Sequence, residues 1–288
     1  MAVAMTGAGR SSAVHVRGLS KAYGQLRAVR DLDLDVGYGQ IFAILGPNGA
    51  GKSTTIEILE GHRKRDAGQV LVLGEDPGTA GRSWRAKIGI VLQEASDAGM
   101  LTVSETVRMF TKSYGKARDP ADVLGLVGLD SASGSKVRTL SGGQRRRLDV
   151  ALGIIGMPEI LFLDEPTTGF DPDARRRFWD LIRRLAADGT TILLTTHYLE
   201  EAAALADRVA VLAHGSVVAM DSPARLTGYV SSAATVRWIE GDTVHVEETE
   251  HPTELIRQRS EGGAELEQLT VSRPTLEDAY LHLIGHAG

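Results

Sequence analysis

"IFAILGPNGAGKSTTIEILEG", Ile41 to Gly61, sets the frame for the whole chain. Its first five residues are apolar without alternation, the pattern of a short strand covered on both faces in a parallel sheet. Gly46 to Ser53 then matches G-x-x-x-x-G-K-[ST], the P-loop. Glycines let backbone N–H groups curl around phosphate oxygens. Lys52 carries a mobile charge to the terminal phosphates, and Ser53 offers a hydroxyl to Mg²⁺. The helix that follows points its positive end at the same anion. A strand before the glycines and a helix after them is the context this motif requires. The candidate phosphate cradle is therefore Gly46, Pro47, Asn48, Gly49, Ala50, Gly51, Lys52, Ser53 and Thr54.

The apolar texture returns at Ile160–Leu163, Thr191–Thr195 and Val209–Ala213, with helical stretches between. That alternation predicts an α/β core with a mostly parallel sheet. "DLDLDV", Asp31 to Val36, alternates strictly and predicts a half-buried antiparallel strand with Leu32, Leu34 and Val36 inward. "ILFLDEP" brings Asp164 to a strand end, where a carboxylate can hold Mg²⁺, and Glu165 follows as a candidate base for an attacking water.

From about 96 to 158 the strand texture gives way to short amphipathic runs, "VSETVRMF" and "ADVLGLVGL", which predict a helical insert. After about 229 a small α+β appendage is expected: strands in "TVRWIE" and "TVHVEE", helices in "TELIRQRS" and "TLEDAYLHLIG". Residues 1–12 read as a disordered tail, 13–228 as the main domain and 229–288 as the appendage.

The 288 residues carry a net charge of −5, which speaks against a broad nucleic-acid surface. The absence of cysteine excludes disulfides and thiolate metal sites. No apolar run nears the roughly 20 residues of a membrane-spanning helix.

A second glycine-rich stretch, "LSGGQRRR" from Leu140 to Arg147, sets a hydroxyl, two glycines and an amide ahead of three arginines. Bare N–H groups at a helix start form another anion seat. The arginines are expected as a solvated or acid-paired helix face. Gln93 and His197 end strands, where such residues are commonplace, and Tyr23 is an aromatic that could stack on a base.

Tyr23, the P-loop, Gln93, "LSGGQ", "LDEP" and His197 stand in an order that resembles the ATP-binding subunits of ABC transporters, from about Val14 to Pro223. The resemblance implies a P-loop NTPase core with an antiparallel β subdomain, a helical insert, and ATP and Mg²⁺ as cofactors. It implies a homodimer packed head to tail, in which Ser141, Gly142, Gly143 and Gln144 bind nucleotide held by the partner. Tyr23 would stack on adenine, and Ser53, Gln93 and Asp164 would attend Mg²⁺. Glu165 would be the catalytic base, His197 the γ-phosphate switch, and Asp171 the aspartate at the dimer seam. Phe170 stands where the family often has leucine. The run "RRRLDVA" and the close "SRPTLEDAYLHL" resemble the ABC-2 type, drug-efflux-like subfamily. That implies an exporter motor at the inner face of the cell membrane, working with a separate permease. A soluble ABC ATPase acting on a macromolecule, or an importer ATPase, is the alternative.

Overall fold

The computed structural model describes residues 12–91, 99–230, 233–260 and 265–286. They form two compact units, one up to Met220 and one from Asp221.

In the first unit, β1 (Ser12–Tyr23), β2 (Leu26–Gly37) and β4 (Ala67–Val72) form an antiparallel sheet in the order β2-β1-β4. Leu32, Leu34 and Val36 are all buried, as the alternation predicts. They pack in one cluster with Phe42, Ile44, Phe162 and Leu193 of the second sheet. That sheet contains β3 (Ile41–Leu45), β5 (Ile88–Val91), β6 (Ile160–Asp164), β7 (Thr191–Thr195), β8 (Arg208–Ala213) and β9 (Ser216–Asp221), in the order β5-β6-β7-β3-β8-β9. The first five strands of that order are parallel. Every residue of β3 and β7 is buried, because both faces of the sheet are covered.

Helices α1 (Lys52–Leu59), α2 (Arg82–Arg85), α6 (Pro172–Ala187) and α7 (Leu199–Leu205) connect the strands. Between β5 and β6 lie α3 (Val103–Thr111), α4 (Pro120–Val127) and α5 (Gly142–Ile154), the expected insert. Its helix starts are written into the sequence. Thr102 with Glu105 and Ser141 with Gln144 are reciprocal capping boxes, and Asp119 caps α4 ahead of Pro120.

The second unit contains α8 (Pro223–Thr227), β10 (Ala234–Glu240), β11 (Thr243–Thr249), α9 (Pro252–Arg259), β12 (Glu267–Ser272) and α10 (Leu276–Gly285). Its antiparallel sheet runs β11-β10-β12. Ala234, Val236 and Trp238 form its buried face, with the His245 ring stacked on Trp238 at 5.1 Å. Helix α10 buries Leu276 and Ala279. Strand β12 has no counterpart in the sequence reading, since all six of its residues are exposed and it carries no burial pattern.

Trp84 of α2 is fully buried and donates its indole N–H to Val72 O at 2.9 Å, which fastens α2 to β4. Trp84→Phe keeps a ring but removes this bond, leaving Val72 O with the Glu75 N–H alone, a loss of about 0.5–1.5 kcal/mol. The urea midpoint of the first unit's transition is expected to fall accordingly; an unchanged midpoint would remove that bond from the account.

Candidate nucleotide site

The loop from Gly46 to Gly51 joins β3 to α1 under tight constraint. A Cβ on Gly46 would lie 2.5 Å from Leu212 O of β8. Gly51 has φ +100°, and a Cβ there would lie 2.3 Å from Ala28 O of β2. Only glycine fits both positions. Helix α1 starts at Gly51 with no side-chain cap and no acidic residue in its first turn. Its leading N–H groups therefore remain available to an anion from outside.

Lys52 is 7% exposed, and its Nζ donates to Gly46 O at 2.7 Å and Pro47 O at 3.1 Å. Burial lowers its pKa, and the nearby Glu165 and Asp164 carboxylates oppose that. The loop is thus wound around a cation, with its carbonyls holding the ammonium while its amides stay open.

Strand β6 ends at Asp164, whose Oδ1 accepts from the Thr195 hydroxyl at the end of β7. Glu165 follows at φ +44°, a left-handed conformation that costs a non-glycine residue on the order of 1–3 kcal/mol. Its N–H donates to Thr195 O at 3.1 Å. Its Oε1 lies 3.3 Å from His197 Nδ1. Lys52, Asp164, Glu165 and His197 are therefore gathered at the carboxyl ends of β3, β6 and β7.

The other expected residues are placed differently. Ser141 Oγ accepts from Gln144 N at 3.2 Å, and Gln144 Oε1 accepts from Ser141 N at 3.0 Å, so both side chains cap α5. Gly142 and Gly143 have nothing within 4 Å of an added Cβ. The chain's own packing does not require glycine at either position. Asp171 caps α6 through Ala174 N at 2.7 Å. Tyr23 closes β1, 40% exposed, with Arg63 5.3 Å and Lys21 5.6 Å from its ring centroid. Gln93 lies outside the described residues.

Of the three arginines expected as a solvated or acid-paired face, Arg146 is buried. Arg146 is 8% exposed and donates to the carbonyls of Pro166 and Asp164. Arg147 donates to Gly128 O at 2.8 Å and Arg145 to Val137 O at 3.3 Å. These guanidinium groups satisfy loop and turn carbonyls, and Arg146 also feels the carboxylates of Asp149, Asp164, Glu165 and Glu201.

Two buried acids carry no motif. Glu201 on α7 is fully buried, and its Oε1 accepts from Trp179 Nε1 at 3.2 Å. Burial pushes its pKa up, opposed by the hydroxyls of Thr196 and Thr167. The threonines beside His197 and after "LDEP" were the available sequence signal for it. Glu60, after α1, is pushed up to about 8, first by burial and then by Asp164 and Glu57.

A family profile described as ABC transporter matches residues 29–168. The daunorubicin resistance ATP-binding protein DrrA3 of Streptomyces coeruleorubidus is 38% identical over 305 residues, spanning 95% of this chain and 96% of that protein. The chain belongs to the ABC transporter family. It is an ATP-hydrolysing, ATP-binding subunit of that family. The Nod factor export ATP-binding protein I of Ralstonia nicotianae is 42% identical over 227 residues, 76% of this chain and 70% of that one. Among solved structures, the dimeric post-hydrolysis state of the ATP-binding cassette MJ0796 bound to ADP and Pi superposes with a TM-score of 0.66. It is 26% identical and covers 73% of this chain and 98% of that one.

The buried Glu60 makes stability depend on pH. A carboxyl with a raised folded pKa binds more protons folded than unfolded, so stability is full below about 4.5 and is lost as pH rises through about 8. Glu60→Gln should flatten that slope and raise the melting temperature at pH 8 relative to wild type. Parallel melting-against-pH curves for the two proteins would contradict the burial effect.

Proposed function

We propose that this chain is the motor of an exporter, in which ATP closes two copies head to tail and hydrolysis reopens them beneath a separate membrane subunit. The observation that carries this reading is the gathering of Lys52, Asp164, Glu165 and His197 at one edge of the sheet, while a Cβ added at Gly142 or Gly143 would meet nothing among the described residues. Export is favoured by the kinds of relative the chain resembles, named for daunorubicin resistance and Nod factor export. Among the described residues no helix is long and apolar enough to cross a membrane. The exporter reading assigns the cargo path to a separate permease and the chain to the cytoplasmic side of that permease, at the inner face of the cell membrane.

The phosphates of ATP fit the loop from Gly46 to Thr54, which presents uncapped amides and the Lys52 ammonium. Tyr23 is assigned to the adenine ring. Mg²⁺ fits Ser53 and Asp164, with Gln93 as a further ligand. These are hard oxygen donors too few to enclose the ion, and Mg²⁺ characteristically completes its shell with water and substrate phosphate. Among the described residues no group of three or more His, Cys, Asp or Glu is placed to hold a metal unaided. When bound, the ion neutralises charge on the β- and γ-phosphate oxygens.

Glu165 takes the proton of the attacking water on its carboxylate. His197, with Nδ1 3.3 Å from that carboxylate, orients it and meets the γ-phosphate. Asp171 sits at the dimer seam, and Ser141, Gly142, Gly143 and Gln144 close on the partner's nucleotide. Glycine N–H groups without a Cβ admit a phosphate at close range.

Glu165→Gln is expected to bind MgATP but lose roughly 10²–10⁴ in turnover and accumulate as an ATP-bound dimer. Steady-state ATPase near the wild-type rate would remove Glu165 from the base role.

The head-to-tail arrangement is tested by mixing variants. In a heterodimer of Lys52→Ala with Ser141→Arg, both lesions fall in one composite site and the other is intact, so ATPase should reappear from two nearly inactive proteins. A Lys52→Ala/Ser141→Arg double variant mixed with wild type places one lesion in each site and should stay poor. The reverse pattern, with heterodimers verified by differential tags, would show that the glycine pair serves its own chain's P-loop.

A further inference from the structure

Glu165 is held in a conformation that its sequence disfavours. Its φ is +44°, and it precedes Pro166, which restricts the preceding residue towards extended backbone. Something must hold it there. The peptide between Asp164 and Glu165 is tied on both edges: its N–H donates to Thr195 O at 3.1 Å, and its carbonyl accepts from Arg146. The peptide after Pro166 is tied by the same side chain, Arg146 Nε donating to Pro166 O at 3.2 Å. One guanidinium therefore spans the two carbonyls that straddle Glu165, while the proline ring stiffens the segment between them.

Arg146 belongs to α5, four residues after Gly142, on the helix capped by Ser141. A guanidinium buried this deeply is costly unless compensated. Compensation comes from the two carbonyls and from the carboxylates of Asp149, Asp164, Glu165 and Glu201, which together surround the charge. The planar fork of arginine suits two separate acceptors in a way that a lysine ammonium does not.

We propose that Arg146 is a positioning residue for ATP hydrolysis, tying the helix that carries the Ser141–Gln144 loop to the turn that aims Glu165 of the same chain. This rests on the reading of Glu165 as the base and of the glycine loop as the partner's ligand.

The test uses Arg146→Gln in the full chain. Turnover is expected to fall on the order of 10- to 100-fold, the scale of a misplaced catalytic group, with MgATP affinity in a direct titration unchanged. In nucleotide-free protein, hydrogen exchange over residues 160–170 should quicken, while that over 41–59 stays as in wild type. Combining Arg146→Gln with Glu165→Gln should cost nothing beyond Glu165→Gln alone, because both act on one group. Arg146→Lys keeps the charge but cannot span both carbonyls, and it should show the same pattern in milder form; it carries the comparison if Arg146→Gln fails to fold. Wild-type turnover in a folded variant, fully multiplicative losses in the double variant, or unaltered exchange at 160–170 would each overturn the proposal. An active Glu165→Gln protein would instead sink the base reading, while quickened exchange in Arg146→Gln would still report the tie.

Discussion

Asp164 on β6 pairs with Thr195 on β7, and Thr195 pairs with Ile44 on β3, so three strand ends share one row across the sheet. The site depends on that register. Parallel strands place like ends together, and each chain segment leaving the row enters a loop with its chemistry in the first one to eight residues. β3 gives way to the glycine loop and Lys52, β6 to Glu165, and β7 to His197. A slip of one residue in any of the three would turn alternate side chains to the other face. Thr195 makes the row more than a backbone ladder: its hydroxyl reaches Asp164, and its carbonyl accepts the Glu165 N–H.

The core strands were legible because burial on both faces leaves an unbroken apolar run, as in Ile41–Leu45 and Thr191–Thr195. The P-loop was legible for a different reason. Close backbone approach at Gly46 and positive φ at Gly51 leave almost no choice of residue. Strand β12 was not legible, since an exposed strand owes its place to backbone pairing with β10, which any sequence of suitable propensity can supply. Arg146 was hidden by its neighbours. Three consecutive arginines look alike in a sequence, yet a helix advances about 100° per residue. Consecutive side chains therefore leave α5 in three directions, towards Val137, the Glu165 turn and Gly128.

Two buried cations act on the turn that holds Asp164 and Glu165. The Lys52 ammonium is held by loop carbonyls and the Arg146 guanidinium by turn carbonyls. Both cations feel the carboxylates of Asp164 and Glu165. Two fixed cations offset the repulsion that two adjacent carboxylates would otherwise suffer at a strand end. Nearby, burial disfavours the charged forms of Glu60 and Glu201. On the proposed reading a nucleotide entering the loop adds negative charge to this set, and the Lys52 ammonium exchanges the loop carbonyls for phosphate oxygens.

The two glycine loops differ in how their helices begin, and the difference bears on why one chain carries both. Helix α1 starts without a side-chain cap, so its end is electrostatically incomplete and suited to an anion supplied from outside. Helix α5 starts with a complete capping box, Ser141 and Gln144 each satisfying the other's backbone, so it is stable with nothing bound. On the proposed head-to-tail reading, engaging the partner's nucleotide through Ser141 or Gln144 exchanges those bonds for charge-assisted ones to phosphate. The net gain is only the difference between the two sets. On that reading the loop of α5 loses this difference once the γ-phosphate is cleaved and returns to its own cap, whereas the uncapped start of α1 has no internal bonds to return to.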